Sequence, residues 1–153
     1  KRASSLKSSA ADAPRHSRSV RIVVSNVGNS EMWVPVQARM VRRWVDLPFE
    51  LYTSVNDGSE QSVSRHWQAQ AAHTPALVVS HSAINASSNW SSLVERCPAA
   101  HDSCDHAIQL DHLISRACHE NAPADDVLLV LDADAWPLAT FSEHVLPLLD
   151  ASP

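Results

Sequence analysis

Two aspartates one residue apart, Asp132 and Asp134, follow an apolar run in the stretch "DDVLLVLDADAWPL", residues 125–138. Carboxylates this close repel each other unless they share a proton or a cation. Paired carboxylate oxygens suit a hard divalent ion such as magnesium or manganese, which keeps positions open for water or phosphate oxygens. An ion held there can bind a diphosphate and offset the charge that develops as it departs. The plainer alternative is that Asp134 opens a turn and Asp132 is a solvated strand end, since Asp is common in turns. The setting favours the metal. Five unbroken apolar residues, Val127 to Leu131, precede the pair, and such a run fits a central parallel strand buried on both faces.

A second group of reactive residues lies upstream. "CPAAHDSCDH" brings Cys97, His101, Cys104 and His106 within ten residues, with His112, Cys118 and His119 beyond. Zinc takes such ligands, but the spacing fits no familiar zinc pattern. A polar loop with ordinary thiols is the simpler reading, and a Cys97–Cys104 disulfide is the alternative in an oxidising compartment. "NASSNWS" holds glycosylation sequons at Asn85 and Asn89, which matter only in a secretory lumen.

The elements that would position these residues alternate along the chain. "VRIVVSNVGN" is a β-branched run ending in turn formers, hence a strand. "SEMWVPVQARMVRRWV" spaces Met32, Val36, Met40 and Trp44 by four, close to one helix face, with Ser30 as a cap and Pro35 early enough to be tolerated. "FELYTSVNDGS" reads as a second strand and turn, "SEQSVSRHWQAQAAH" as a second helix, and "ALVVS" as a third strand. Residues 81–104 read as irregular. "DHAIQLDHLISRACHE" is a third helix with Ala107, Leu110, Leu113, Ile114 and Ala117 on one side, and "DDVLLVL" is the fourth strand. "FSEHVLPLLD" is a short helix whose regularity Pro147 limits.

Strands alternating with helices imply right-handed crossovers and a mostly parallel sheet flanked by helices, a Rossmann-like α/β fold. Ligands of such sheets bind beyond the carboxyl ends of the strands. Asp132 and Asp134 lie at that end, as do Ser25 to Asn29 after the first strand and Asn56 to Ser59 after the second. Three polar strand ends therefore converge on one cleft.

Composition limits the partners. The chain of 153 residues holds 44% hydrophobic and 19% charged residues, as a globular domain does. Residues 1–21 carry six basic groups against one acidic, a net of +5; the rest carries six against sixteen, a net of −10. An acidic body argues against nucleic acid as a partner and suits phosphate binding through a metal. No apolar run approaches the ~20 residues of a membrane span. The two glycines, Gly28 and Gly58, and two lysines, Lys1 and Lys7, cannot supply a P-loop or a dinucleotide-binding glycine turn. Residues 1–19, rich in Ser, Ala and basic residues, read as a disordered tail or stem, leaving 20–153 as the folded part.

"VLLVLDADAWPL" resembles the strand and Asp-x-Asp motif of glycosyltransferases with the GT-A fold. "FELYTSVNDGSE" is similar to the second strand of family-2-like members, which often ends in Asp-Asp-Gly-Ser, and "DHAIQLDHLISRAC" occupies the place of the helix before their metal-binding strand. The resemblance covers roughly residues 20–140. It implies a divalent manganese or magnesium at Asp132 and Asp134, with Asp134 the more direct ligand and Asp132 also facing the donor. It implies a nucleotide-diphosphate sugar as donor, with Ser25 beside the nucleotide and Asp57 at the base or ribose. Asn56 stands where the family often has a second Asp. His106 and Asp111, on the third helix, are the further donor-side residues it suggests, and Trp136 would flank the donor sugar.

The family's general base and acceptor-binding half are expected beyond residue 153, so the chain reads as the nucleotide-sugar half of an enzyme, truncated after the Asp-x-Asp strand. Donor base, sugar, stereochemistry and the glycan, lipid or protein acceptor are not legible. A stem and sequons suit a Golgi lumen, whereas many bacterial members act in the cytoplasm. Two rivals remain. A phosphohydrolase of the haloacid dehalogenase type also carries Asp-x-Asp after a buried strand, the first Asp as nucleophile, but that strand usually comes first in the domain. A degenerate transferase-like domain used only for binding is the other.

Overall fold

The computed structural model describes residues 18–70, 76–87, 101–119 and 121–151. Four strands, β1 (Val20–Asn26), β2 (Phe49–Val55), β3 (Leu77–Ser80) and β4 (Val127–Leu131), form one sheet in the order β3-β2-β1-β4. Every pairing is parallel, with Val20 opposite both Phe49 and Val127, and Tyr52 opposite Leu77. The fold is therefore an α/β sheet flanked by helices, of Rossmann-like character.

Pleating sends alternate residues of each strand to opposite faces. On one face Val20, Ile22 and Val24 of β1 join Leu51 and Val55 of β2 beneath α1 (Val34–Trp44) and α2 (Glu60–Gln70). Trp67 of α2 is buried there against the edge of Phe49. The short helices α5 (Phe141–His144) and α6 (Leu146–Asp150) extend this layer over β4 through Phe141. They are separate pieces, and Pro147 sits in the first turn of the second, where its missing N–H costs nothing. On the other face Val23 and Tyr52 pack against α3 (His81–Ser87) and α4 (His101–Ala117) through Ile84, Leu113 and Ala117.

Several sequence expectations are corrected. β4 is an edge strand among the described residues, not a central one. Val127, Leu129 and Leu131 pack into the α1 face, but Leu128 and Val130 on the other face are 39% and 44% exposed. The helix α4 lies over β1 and β2 instead of β4. A 3-10 turn, Gly28–Trp33, precedes α1, and Ser30 makes no cap. The buried stripe of α1 is Val34, Gln37, Ala38 and Val41, while Met32 and Val36 are exposed. A spacing of four drifts about 40° per step around a helix, so the anticipated stripe leaves the core within two turns. Residues 81–87 form a helix, not irregular chain, and α4 starts four residues earlier than expected. Ala107 is exposed, with Ile108 and Gln109 buried in its place.

The far end of the sheet is closed by a buried ion pair. Arg21 Nε donates to Asp126 Oδ2 at 2.9 Å, and its Nη1 donates to the carbonyl of Ala117 at the end of α4. Asp126 also accepts the amide of Ser19 at 3.1 Å, and Val127 donates to the Ser19 carbonyl, so residues 18 and 19 of the expected tail are part of the fold. Residues 1–17 lie outside the described residues.

Candidate functional site

Strand order reverses between β1 and β4. The chain moves outward from β1 through β2 to β3, then returns to β4 on the other side of β1. Crossovers leave this point in opposite directions, which opens a crevice at the carboxyl ends of the two strands. A cavity of about 500 Å³ occupies it, lined among others by Ser25, Gly28, His81, Asp105, Gln109 and Ala133. A shallower hollow of about 340 Å³ adjoins it at Asp132, Asp134, Trp33 and Met32. Ser30, His106 and Ala133 line both.

The end of β1 aims two neighbouring side chains at two helices. Ser25 and Asn26 point to opposite faces because the strand is pleated. On the α4 face Ser54 Oγ donates to Ser25 Oγ at 3.0 Å, and Ser25 Oγ donates to Gln109 Oε1 at 3.0 Å. On the α1 face Asn26 Nδ2 donates to Thr53 Oγ1 and to Gln37 Oε1, each at 3.2 Å. Gln37 is fully buried, and its Nε2 donates to the carbonyls of Asp132, Ala133 and Ala135 at 3.2–3.4 Å. Two amide hydrogens shared among three carbonyls fix the backbone of the Asp-x-Asp turn to the tip of β1. Ala133 is buried between two exposed carboxylates, so the turn is anchored at its centre and presents both aspartates to solvent.

The expected site residues divide into two groups. Ser25 lines the cavity, Asp132 and Asp134 line the hollow, and His106 lies between them. His106 Nε2 stands 3.9 Å from Asp132 Oδ1, an ion pair when the imidazole is protonated. Asn56 also lines the cavity, but its carboxamide is spent on the loop after β1. Its Oδ1 accepts the Gly28 amide and its Nδ2 donates to the Gly28 carbonyl at 2.8 Å. Gly28 has φ +63°, the left-handed region where a side chain is strained.

Asp57 is turned to a different task. Its Oδ1 accepts the Ser82 amide at 2.9 Å in the first turn of α3. That bond, with the Ser82 hydroxyl, holds its carboxyl below the usual Asp value. Asp111 is exposed. At about 100° per residue it lies some 200° around α4 from Gln109, away from the cleft. Trp136 packs on Trp33 with ring centroids 6.0 Å apart, placing an aromatic pair beside the Asp-x-Asp turn.

Sequence reading missed Gln37, Gln109 and Asp105. A Gln on an amphipathic helix is ordinarily a solvated residue. Only the true phase of α1 and α4 shows that both amides face inward.

Among the described residues, no three His, Cys, Asp or Glu side chains gather into a group able to hold a metal ion. Asp132 and Asp134 are exposed and line the same hollow, and a hard octahedral cation needs only one or two carboxylates, its shell being completed by water and phosphate oxygens. A zinc cage using Cys104 is excluded, because Cys104 is disulfide-bonded; Cys118 is a free, exposed thiol. Cys97 and the sequon at Asn89 lie outside the described residues. Asn85 sits in α3 with its Nδ2 2.9 Å from His81 Nε2. Among the described residues no helix is long and apolar enough to cross a membrane.

No family model, no curated protein and no solved structure matches the chain.

Proposed function

We propose that this chain is the nucleotide-sugar-binding portion of a metal-dependent glycosyltransferase with a GT-A-like fold. One observation carries the reading. Two exposed carboxylates on a fixed turn stand at the mouth of a crevice at the sheet's switch point, where α/β sheets take nucleotides. The resemblance of the Asp-x-Asp strand, the second strand and the intervening helix to that family supports it.

In this reading the inner cavity takes the nucleoside and the hollow takes the diphosphate. Asp132 and Asp134 would hold manganese or magnesium, and the ion, when bound, would supply charge neutralisation to a diphosphate. Gln37 and Asn26 keep the carboxylates in place without touching the ligand. His106, between the two spaces, orients Asp132 and donates to a phosphate oxygen. Trp33 and Trp136 offer an apolar surface to the sugar. Transfer to an acceptor glycan, lipid or protein requires a base and an acceptor site outside these residues. The disulfide at Cys104 suits an oxidising lumen.

Calorimetric titration with uridine and guanosine diphosphates, with and without manganese, tests this. Binding that requires manganese and is lost in Asp134→Asn is expected. Equal binding with and without manganese by the folded protein would sink the metal role of the pair.

A further inference from the structure

The outward face of α1 carries a pattern that the core does not explain. The buried stripe of this helix is Val34, Gln37, Ala38 and Val41. At about 100° per residue, Val36, Arg39, Met40 and Arg43 fall on the opposite side. Val36, Arg39 and Arg43 are exposed there, and Met40 is half-buried. The 3-10 turn Gly28–Trp33 runs directly into α1 and adds Met32, 68% exposed, and Trp33. Met32 stands four residues before Val36, about one turn earlier on the same side. Apolar and guanidinium groups are therefore interleaved along one exposed strip.

The charge of this strip is opposite to that of the rest of the body. Beyond residue 21 the chain holds six basic residues against sixteen acidic ones, and three of the six, Arg39, Arg42 and Arg43, lie on α1, which has no acidic residue. Among the described residues none of the three makes an ion pair. Arg43 rests over the Trp44 ring at 4.8 Å, an uncharged partner. Arg42 and Arg43 complement the carbonyl end of the helix; Arg39, in its middle, does not.

The mixture of groups selects the partner. Clustered exposed apolar side chains mark a contact surface, and unpaired arginines ask for anions. A helix face is convex, so a rigid partner needs a matching groove, whereas lipid deforms around it. Apolar side chains of such a face enter the acyl boundary while arginines reach headgroup phosphates, their methylene stems spanning the two zones. An indole, apolar in body and polar at its N–H, favours the same boundary.

We propose that Met32, Trp33, Val36, Arg39, Met40 and Arg43 form a face that docks on an anionic lipid surface. This inference goes beyond the nucleotide reading and does not rest on it. Met32 and Trp33 also line the hollow at Asp132 and Asp134, so docking brings that hollow to the lipid surface.

The test is co-sedimentation of the full chain with two vesicles, phosphatidylcholine alone and equal parts of phosphatidylcholine and phosphatidylserine. Binding to the anionic vesicles, with little to the neutral ones, is expected. An arginine near such a surface contributes roughly fivefold in affinity, so Arg39→Gln should weaken binding roughly fivefold and Arg39→Gln/Arg43→Gln roughly 25-fold. Both effects should fade in high salt. Arg116→Gln makes the same charge change on exposed α4, across the sheet, and should do little. Met32→Ser/Val36→Ser should weaken binding at every salt concentration. All of these side chains are exposed, and thermal melting checks that each variant is folded. The basic residues of segment 1–18 offer a rival source of attraction. Binding unchanged in Arg39→Gln/Arg43→Gln would assign it to them and overturn the proposal. Equal losses from Arg39→Gln and Arg116→Gln would show that net charge alone matters, and would overturn it too. Retention on immobilised poly-glutamate as strong as on vesicles, unmoved by Met32→Ser/Val36→Ser, would replace lipid with an acidic protein. Absence of binding to either vesicle would overturn it outright.

Discussion

Asp126→Asn probes the lock at the far end of the sheet. The side chains of Arg21 and Asp126 are 8% and 7% exposed and 2.9 Å apart. Substitution by Asn preserves shape and one acceptor but removes the nearest counter-charge of the buried Arg21 guanidinium, leaving only the more distant Glu50. Breaking such a pair from one side costs about 3–5 kcal/mol. For a domain of this size that corresponds to a melting temperature roughly 6–20 °C lower. The pH dependence has a definite sign. Burial pushes the Asp126 carboxyl up, but hydrogen bonds from Ser19 and Arg21 outweigh it and leave it below the ordinary Asp value. A depressed folded value means that the stabilisation is complete above the unfolded value, about 3.9, and is lost as pH falls through the folded one. Urea denaturation from pH 7 to pH 3 should therefore show a constant gap between wild type and Asp126→Asn down to about pH 5, closing below pH 4. The double variant Arg21→Met/Asp126→Leu should recover most of the loss, because it removes both charges. A gap under about 1 kcal/mol at pH 7, or one that persists unchanged to pH 3, would refute the reasoning.

Gln37→Met keeps the volume of a buried side chain but strips the Asp-x-Asp turn of its donor; a loss of about 1–3 kcal/mol in urea denaturation, with weaker manganese-dependent nucleotide binding, is expected, and unchanged binding would show that the turn holds its shape unaided. Mass-spectrometric mapping after maleimide treatment should find Cys118 labelled in the native protein and Cys104 labelled only after reduction; labelling of Cys104 without reductant would contradict the disulfide.

The sheet was legible because its signals are local. β-branched runs bounded by turn formers give strands, and their alternation with helices gives parallel order. The convergence of Ser25, Asp132 and Asp134 followed from that order alone. Helix phase was less accessible. In α1 the large residues Met32 and Val36 drew attention, yet Val34, Ala38 and Val41 reach the sheet, since small and β-branched side chains allow close approach. In α4 Leu110, Leu113, Ile114 and Ala117 do pack as expected, but Asp111 comes from the resemblance alone and faces away, and a buried Gln109 leaves no mark in an apolar pattern. Exposure of Leu128 and Val130 was hidden for another reason. An apolar run states that a strand can be buried on both faces, but which helix covers it depends on where α4 crosses the sheet.

Asp57 shows how a strand-end carboxylate can match a motif and still do other work. Its hydrogen bond to Ser82 fixes the start of α3, and α3 carries His81 into the cavity wall. The same helix packs on α4, which supplies Asp105 and Gln109. Asp57 therefore supports the cavity wall from behind. The tip of β1 couples the two halves of the crevice: Ser25 is hydrogen-bonded to Gln109, and Asn26, through Gln37, is tied to the backbone of the Asp-x-Asp turn. A shift of one residue in the β1 register would exchange these two side chains between faces and break both halves at once. The placement of the cavity wall relative to the carboxylate pair is thus tied to a single pleat of one buried strand.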